Sequence, residues 1–178
     1  MRWPQARLSS LVTIHPWSGE SIGPLLTNLN NRFIDHTSAL WPLANLALYV
    51  PFVLRRPILV KKLWTYNGGA VSGNVDVGVL DQEGTKLFST GSTARSGTTL
   101  IQPFDIADTY LPVGGYYLAL AHDGTSAFRR GSIGGGDLPR CVGMAEEADA
   151  FPLPAQAAFA SNTRNFVPIF GLTGRVEI

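Results

Sequence analysis

Three histidines, one cysteine and thirteen acidic residues are what this 178-residue chain offers for chemistry. Nucleophilic catalysis needs a nucleophile, a base within hydrogen-bond reach and a group that orients the base. The densest set is His122-Asp123-Gly124-Thr125-Ser126. Neighbouring residues at a strand end point in different directions, so His122, Asp123 and Ser126 are expected to stay apart, with His122 an ordinary turn histidine. His15 and His36 sit where nothing suggests a preorganised pocket, and Cys141 has no partner for a bridge and reads as a small buried hydrophobe. Zinc needs clustered Cys and His at characteristic spacings, which are missing. Asp105, Asp108, Asp123 and Asp137 lie in or near loops, but without the spacing of an EF-hand. The stretch Gly131-Ser132-Ile133-Gly134-Gly135-Gly136-Asp137 lacks the Gly-Lys-Ser/Thr ending of a phosphate loop and opens no helix. No catalytic residue, metal site or cofactor is expected, so the chain reads as a non-enzyme.

Binding signals are few. Lys plus Arg number 14 against 13 acids, a net charge of +1, so direct nucleic-acid binding is not expected. The doublets Arg55-Arg56 and Arg129-Arg130 flank apolar runs, and Arg129 and Arg130 are candidates for a subunit contact. Trp64, Tyr66, Tyr116 and Tyr117 read first as core. The alternative is that Trp64 and Tyr66 stack on a sugar ring, because an aromatic face suits a pyranose.

The elements that would position these residues are β-strands. Only 15% of residues are charged while 45% are hydrophobic, with 19 Gly and 12 Pro, which disfavours disorder and gives enough apolar surface for one core. The longest apolar run, 40–54, is too short for the ~20 residues of a membrane helix and holds Pro42 and Pro51, so no membrane insertion is expected. Residues 1–45 show no sustained period of 2.0 or 3.6 and carry Trp3, Trp17 and Trp41; they read as an irregular arm, with a short helix near Leu25–Phe33 and the three tryptophans as anchors. From Leu46 the sequence changes character. Runs at Leu46–Leu54, Pro57–Tyr66, Asn74–Leu80, Thr85–Thr90, Thr98–Asp105 and Tyr116–His122, with weaker ones at Ala127–Arg130, Leu138–Val142 and Phe166–Leu172, alternate with turn clusters such as Asn67-Gly68-Gly69. The expected fold is therefore all-β, an antiparallel sandwich or jelly roll over 46–178 behind the arm.

Facing can be read along some runs. In Asn74–Leu80 the valines share one face and Asn74, Asp76 and Gly78 the other, which should meet water. Leu46–Leu54 and Tyr116–Ala121 are apolar on both faces. That predicts either central strands covered on both sides or an outer surface that meets another subunit. Glu146-Glu147-Ala148-Asp149 reads as a solvated turn, and Pro152–Ser161 as a segment able to form a helical turn.

The stretch Leu48-Tyr49-Val50-Pro51-Phe52-Val53-Leu54, then Val60-Lys61-Lys62-Leu63-Trp64-Thr65-Tyr66-Asn67-Gly68, then Ser72-Gly73-Asn74-Val75-Asp76-Val77-Gly78-Val79-Leu80-Asp81 with Gly84-Thr85-Lys86-Leu87, resembles small β-sandwich virion proteins of tailed bacteriophages. Leu111-Pro112-Val113-Gly114-Gly115-Tyr116-Tyr117-Leu118-Ala119-Leu120-Ala121 fits the same pattern. The resemblance spans about residues 46–123. It implies a structural role in the virion, as a capsid decoration, fibre-base or tail-associated component, and carries over no catalytic residue. The implied partners are other virion proteins and further copies of the chain, in a homo-oligomer such as a trimer. A carbohydrate-binding module that attaches to host-surface glycan is the alternative.

Overall fold

A computed structural model describes residues 11–14, 36–131 and 143–176. Trp3, Trp17, His15, Cys141, the Leu25–Phe33 helix, the Leu138–Val142 strand and most of the glycine-rich loop lie outside the described residues.

The described residues form fourteen strands and no helix: β1 (Leu11–Ile14), β2 (His36–Leu40), β3 (Leu46–Leu54), β4 (Ile58–Tyr66), β5 (Asn74–Leu80), β6 (Lys86–Ser89), β7 (Thr93–Ala94), β8 (Ile101–Leu111), β9 (Gly114–His122), β10 (Ala127–Gly131), β11 (Ala145–Glu147), β12 (Ala160–Ser161), β13 (Val167–Pro168) and β14 (Phe170–Val176). Every strand pairing is antiparallel. One sheet runs β12-β11-β3-β9-β5-β6, with β7 on β5; the second runs β1-β14-β4-β8; a small third sheet, β13-β10-β2, adjoins them. The all-β antiparallel sandwich expected from the sequence is what the chain forms.

Strand periodicity builds the core between the two large sheets. Even-numbered residues of β3 and β9 (Leu46, Leu48, Val50, Phe52, Leu54, Tyr116, Leu118, Leu120) join Val75, Val77 and Val79 of β5 and meet Ile58, Val60, Leu63, Phe104, Phe170 and Leu172 of the opposite sheet. β3 and β9 stay in register over nine pairs, from Leu46 opposite His122 to Leu54 opposite Gly114, which fixes the inward set.

The outer face of the large sheet is covered by the chain itself. Ala47, Ala119 and Ala121 are small, which leaves room for Tyr49, Leu80, Ala150 and Leu153, with Tyr117 and Phe151 packed alongside. Phe159 meets Tyr49 edge-to-face at 5.0 Å and packs tilted against Tyr117 at 4.5 Å, between ring centroids. The two-faced apolar strands thus have an internal cover, supplied by the segment between β11 and β12.

This cover corrects several expectations. Asp76 and Gly78 do not face water: Asp76 is fully buried, its Oδ2 accepts the Leu153 N–H at 3.0 Å, and a Cβ on Gly78 would come within 2.9 Å of the Leu153 side chain. Residues 152–159 form no helical turn, because Pro152 and Pro154 and the packing on the sheet hold them irregular. Glu146 and Glu147 are not in a solvated turn but in β11, where Glu147 accepts the Tyr49 hydroxyl at 2.6 Å and Glu146 accepts Thr163 at 2.9 Å. The sandwich also begins before residue 46. β2 pairs with β10 over five residues, and Trp41, 1% exposed, packs on Phe128 and Phe166 and donates Nε1–H to the Leu46 carbonyl. Trp41 is a core residue, so its expected role as an arm anchor does not stand: its ring is closed to any partner.

Candidate functional site

Three chain reversals meet at one end of the sandwich, where β4, β7 and β9 end and β5 and β10 begin. Asn67 follows β4, Arg95 follows β7, and the turn 123–126 joins β9 to β10. Gly73 has φ of +76° and a Cβ there would collide with the Asp123 carboxylate, so only glycine lets this loop close.

Arg95 is the centre of the cluster. Only 7% exposed, it donates from Nε and Nη2 to Asn67 Oδ1 at 3.2 and 3.0 Å, from Nη2 to the Ala127 carbonyl at 2.6 Å and from Nη1 to Ser126 Oγ. The guanidinium carbon lies 3.6 Å from the Phe128 ring centroid, a desolvated cation–π contact. Burial pushes its pKa down to about 10, opposed by Asp123, so the group keeps its charge at neutral pH. Asn67, fully buried, turns its amide nitrogen to the Ser96 carbonyl at 2.6 Å and to Gln102 Oε1 at 3.1 Å.

His122 is fully buried beside it, with Nε2 3.2 Å from Arg95 Nη1. Nδ1 accepts the Gly124 N–H at 2.8 Å, which places the ring proton on Nε2, facing the Ser72 carbonyl at 3.0 Å and Ser126 Oγ at 3.1 Å. Burial, reinforced by Arg95, lowers its pKa below the ordinary value; the Ser72 carbonyl and Asp123 oppose the shift. Asp123 Oδ1 lies 4.0 Å from Nε2, and both its oxygens accept from Asn74, at 2.9 Å from the backbone and 3.1 Å from the side chain.

The structure therefore corrects one expectation. His122, Asp123 and Ser126 do meet, because the short turn folds back over the strand end. They do not form a triad. Nε2 carries the proton and cannot accept one from Ser126, while Ser126 donates to the Ser72 carbonyl at 2.8 Å. Asp123 sits on the Nε2 side rather than on Nδ1, where an orienting carboxylate would belong.

The second arrangement lies on the outer face of the β14-β4-β8 layer. Trp64 and Lys62 of β4, Ile101 and Pro103 of β8 and Thr173 of β14 line a hollow of about 240 Å³. Lys62 and Thr173 continue into a cleft of about 500 Å³ with Lys61, Asp105, Asp108 and Arg175. Lys61 pairs with Asp108 and Lys62 with Asp105, all at the exposed surface, where such pairs contribute little. Trp64 is only 8% exposed and Tyr66 half-buried, so neither presents the open face that sugar stacking requires. Arg129 lies 5.8 Å from the Tyr66 ring centroid, and Arg130 donates to the Asn165 carbonyl at 2.8 Å and lies 5.6 Å from the Phe166 centroid. Both arginines, expected at a subunit contact, are half-buried within the chain's own packing.

Among the described residues no group of three or more His, Cys, Asp and Glu side chains could hold a metal ion, and no helix is long and apolar enough to cross a membrane. No family model matches the chain, and neither a curated protein nor a solved structure matches it.

Arg95 and Asn67 are the site residues that sequence reasoning missed. Asn67-Gly68-Gly69 reads from the sequence only as a turn, and Arg95, in a Thr-, Ser- and Gly-rich stretch, carries no motif that singles it out. The available signal was the isolation of Arg95: it is the one charged residue between Lys86 and Asp105 and has no local acid to pair with.

Proposed function

We propose that the chain is a non-enzymatic structural protein of a tailed-bacteriophage virion, a capsid decoration, fibre-base or tail-associated component that assembles with copies of itself and with other virion proteins. The observation that carries this reading is the state of the polar cluster. Its nucleophile, imidazole, carboxylate and guanidinium are closed on one another and on backbone groups, so the most chemistry-rich corner of the described chain serves to join loops. An all-β sandwich with the outer face of its large sheet covered and few charges suits a building block. Val53, Tyr110 and Val113, between 51% and 61% exposed near the β8–β9 turn, give it apolar surface for neighbours, and the residues before β2 give it a second means of attachment. Quantitative mass spectrometry of purified phage particles tests the reading: the chain is expected at a fixed integer ratio to the major capsid protein. Its absence from washed particles, in a lysate that contains it, overturns the reading.

Glycan binding is the second reading, supported by the hollow lined by Trp64, apolar Ile101 and Pro103, and Lys62. Titration calorimetry against host-surface glycans, with Lys62→Ala and Ile101→Ala as controls, should show binding that the substitutions weaken. Absent heats across the panel end this reading.

A further inference from the structure

The polar cluster holds a titratable group whose protonation the surrounding geometry opposes. His122 meets Trp41 from the β2–β3 connection at 6.3 Å and Phe128 from β10 at 5.2 Å, between ring centroids. Ser72 reaches it from the β4–β5 loop, Ser126 and Gly124 from the β9–β10 turn, and Arg95 from the residues after β7. The charged groups facing the ring among the described residues are Arg95 and Asp123.

We propose that His122 and Arg95 form an acid-sensitive latch, closed while the imidazole is neutral and released when it is protonated, which ties the β2–β3 segment to this end of the sandwich. A proton added at Nδ1 would point at the Gly124 N–H, so two donors would face each other where a hydrogen bond now stands. The same proton would create a second cation 3.2 Å from the guanidinium in a desolvated space. Among the described residues Asp123 is the one carboxylate near enough to compensate, and its oxygens are engaged by Asn74.

The bonds around the ring determine what is released. The Trp41 N–H donates to the Ser126 carbonyl at 3.2 Å, and the Asn45 N–H to the His122 carbonyl at 2.9 Å. Gly68 N–H donates to the Ala127 carbonyl, the same oxygen that Arg95 grips, and Gly69 N–H to Ser38 Oγ on β2. Expelling the imidazolium to water would loosen these contacts together, and with them β2. The β3–β9 ladder beyond Asn45 does not depend on them.

Hydrogen exchange of backbone amides in the full chain, between about pH 7.5 and about pH 4.5 and corrected for intrinsic rates, tests the latch. One proton is taken up on opening, so protection at Trp41, Gly68 and Gly124 should fall about tenfold per pH unit below about 6.5, while Leu48 and Leu120 keep theirs. His122→Asn should abolish that fall, whereas His15→Asn and His36→Asn should leave it as in the native chain. An unchanged fall in His122→Asn overturns the proposal. Should that variant not fold, imidazole NMR of the native chain decides: His122 titrating at an ordinary pKa with full protection at Trp41 and Gly124 overturns the latch, and a titration that coincides with loss of protection supports it.

Discussion

Replacing Trp41 by alanine asks whether its ring is core or anchor. The indole is 1% exposed, and its neighbours are Phe128 at 4.9 Å and Phe166 at 5.4 Å between centroids. An aromatic side chain of this kind buries roughly 150–250 Å², which at about 25 cal/mol per Å² gives about 4–6 kcal/mol of transfer free energy. Measured truncations of buried Phe and Trp cost about 3–5 kcal/mol. Losing the Nε1–H bond to the Leu46 carbonyl, 3.2 Å long, adds about 1 kcal/mol. The expected destabilisation is therefore about 4–6 kcal/mol, a large part of the ~5–15 kcal/mol available to a domain. In a domain of this size it corresponds to a fall in Tm of roughly 8–24 °C. Urea unfolding followed by near-ultraviolet circular dichroism measures it, with the slope against denaturant confirming an unchanged transition. A Trp41→Ala protein within about 0.5 kcal/mol of the native chain that nonetheless fails to assemble would refute the core assignment and restore the ring as a docking group.

Gly68→Ala should cost about 1–3 kcal/mol, because its Cβ would lie 2.7 Å from the Ala127 backbone carbon, whereas Gly69→Ala, with 3.5 Å to Ser38 Oγ, should be nearly neutral; equal thermal shifts would contradict the packing. Asp76 is buried and its pKa is raised chiefly by desolvation, so the folded state disfavours the ionised form and stability falls as pH rises from about 3.8 through the folded value. Asp76→Asn removes that dependence, and its unfolding midpoint relative to the native chain should rise with pH over this window and then level off; parallel profiles would contradict the burial. Ser126→Ala should leave the chain as unreactive to a fluorophosphonate probe as the native protein, since the Ser126 hydroxyl has no base; labelling of native Ser126 would show that it has one.

Much of the fold was legible because strand periodicity survives burial. The runs Leu46–Leu54 and Asn74–Leu80 carry the bounds of β3 and β5, and the alternation of large and small residues along β9 states that both its faces are covered. What covers the outer face was not legible. Residues 148–159 have no period and act through position, Leu153 over Gly78 and Phe159 over Tyr49, so an internal lid and a neighbouring subunit predict the same strand pattern. The polar cluster was hidden for a related reason. Asn67, Arg95 and His122 stand 27 and 28 residues apart, and only the shared end of the sandwich makes them neighbours. His122-Asp123 with Ser126 was visible as a string, but its meaning turned on which ring nitrogen accepts the Gly124 N–H, which no spacing encodes.

The molar mass of the full-length protein by light scattering, beside the same chain lacking residues 1–35, bears most directly on a role in assembly. That truncation spares β2 and Trp41, so the described core outside β1 is retained. A discrete multimer that shrinks or dissociates on truncation is the expected result. A full-length chain that stays monomeric across the concentration range, with an identical result for the truncated one, would contradict assembly through the sandwich and its N-terminal segment.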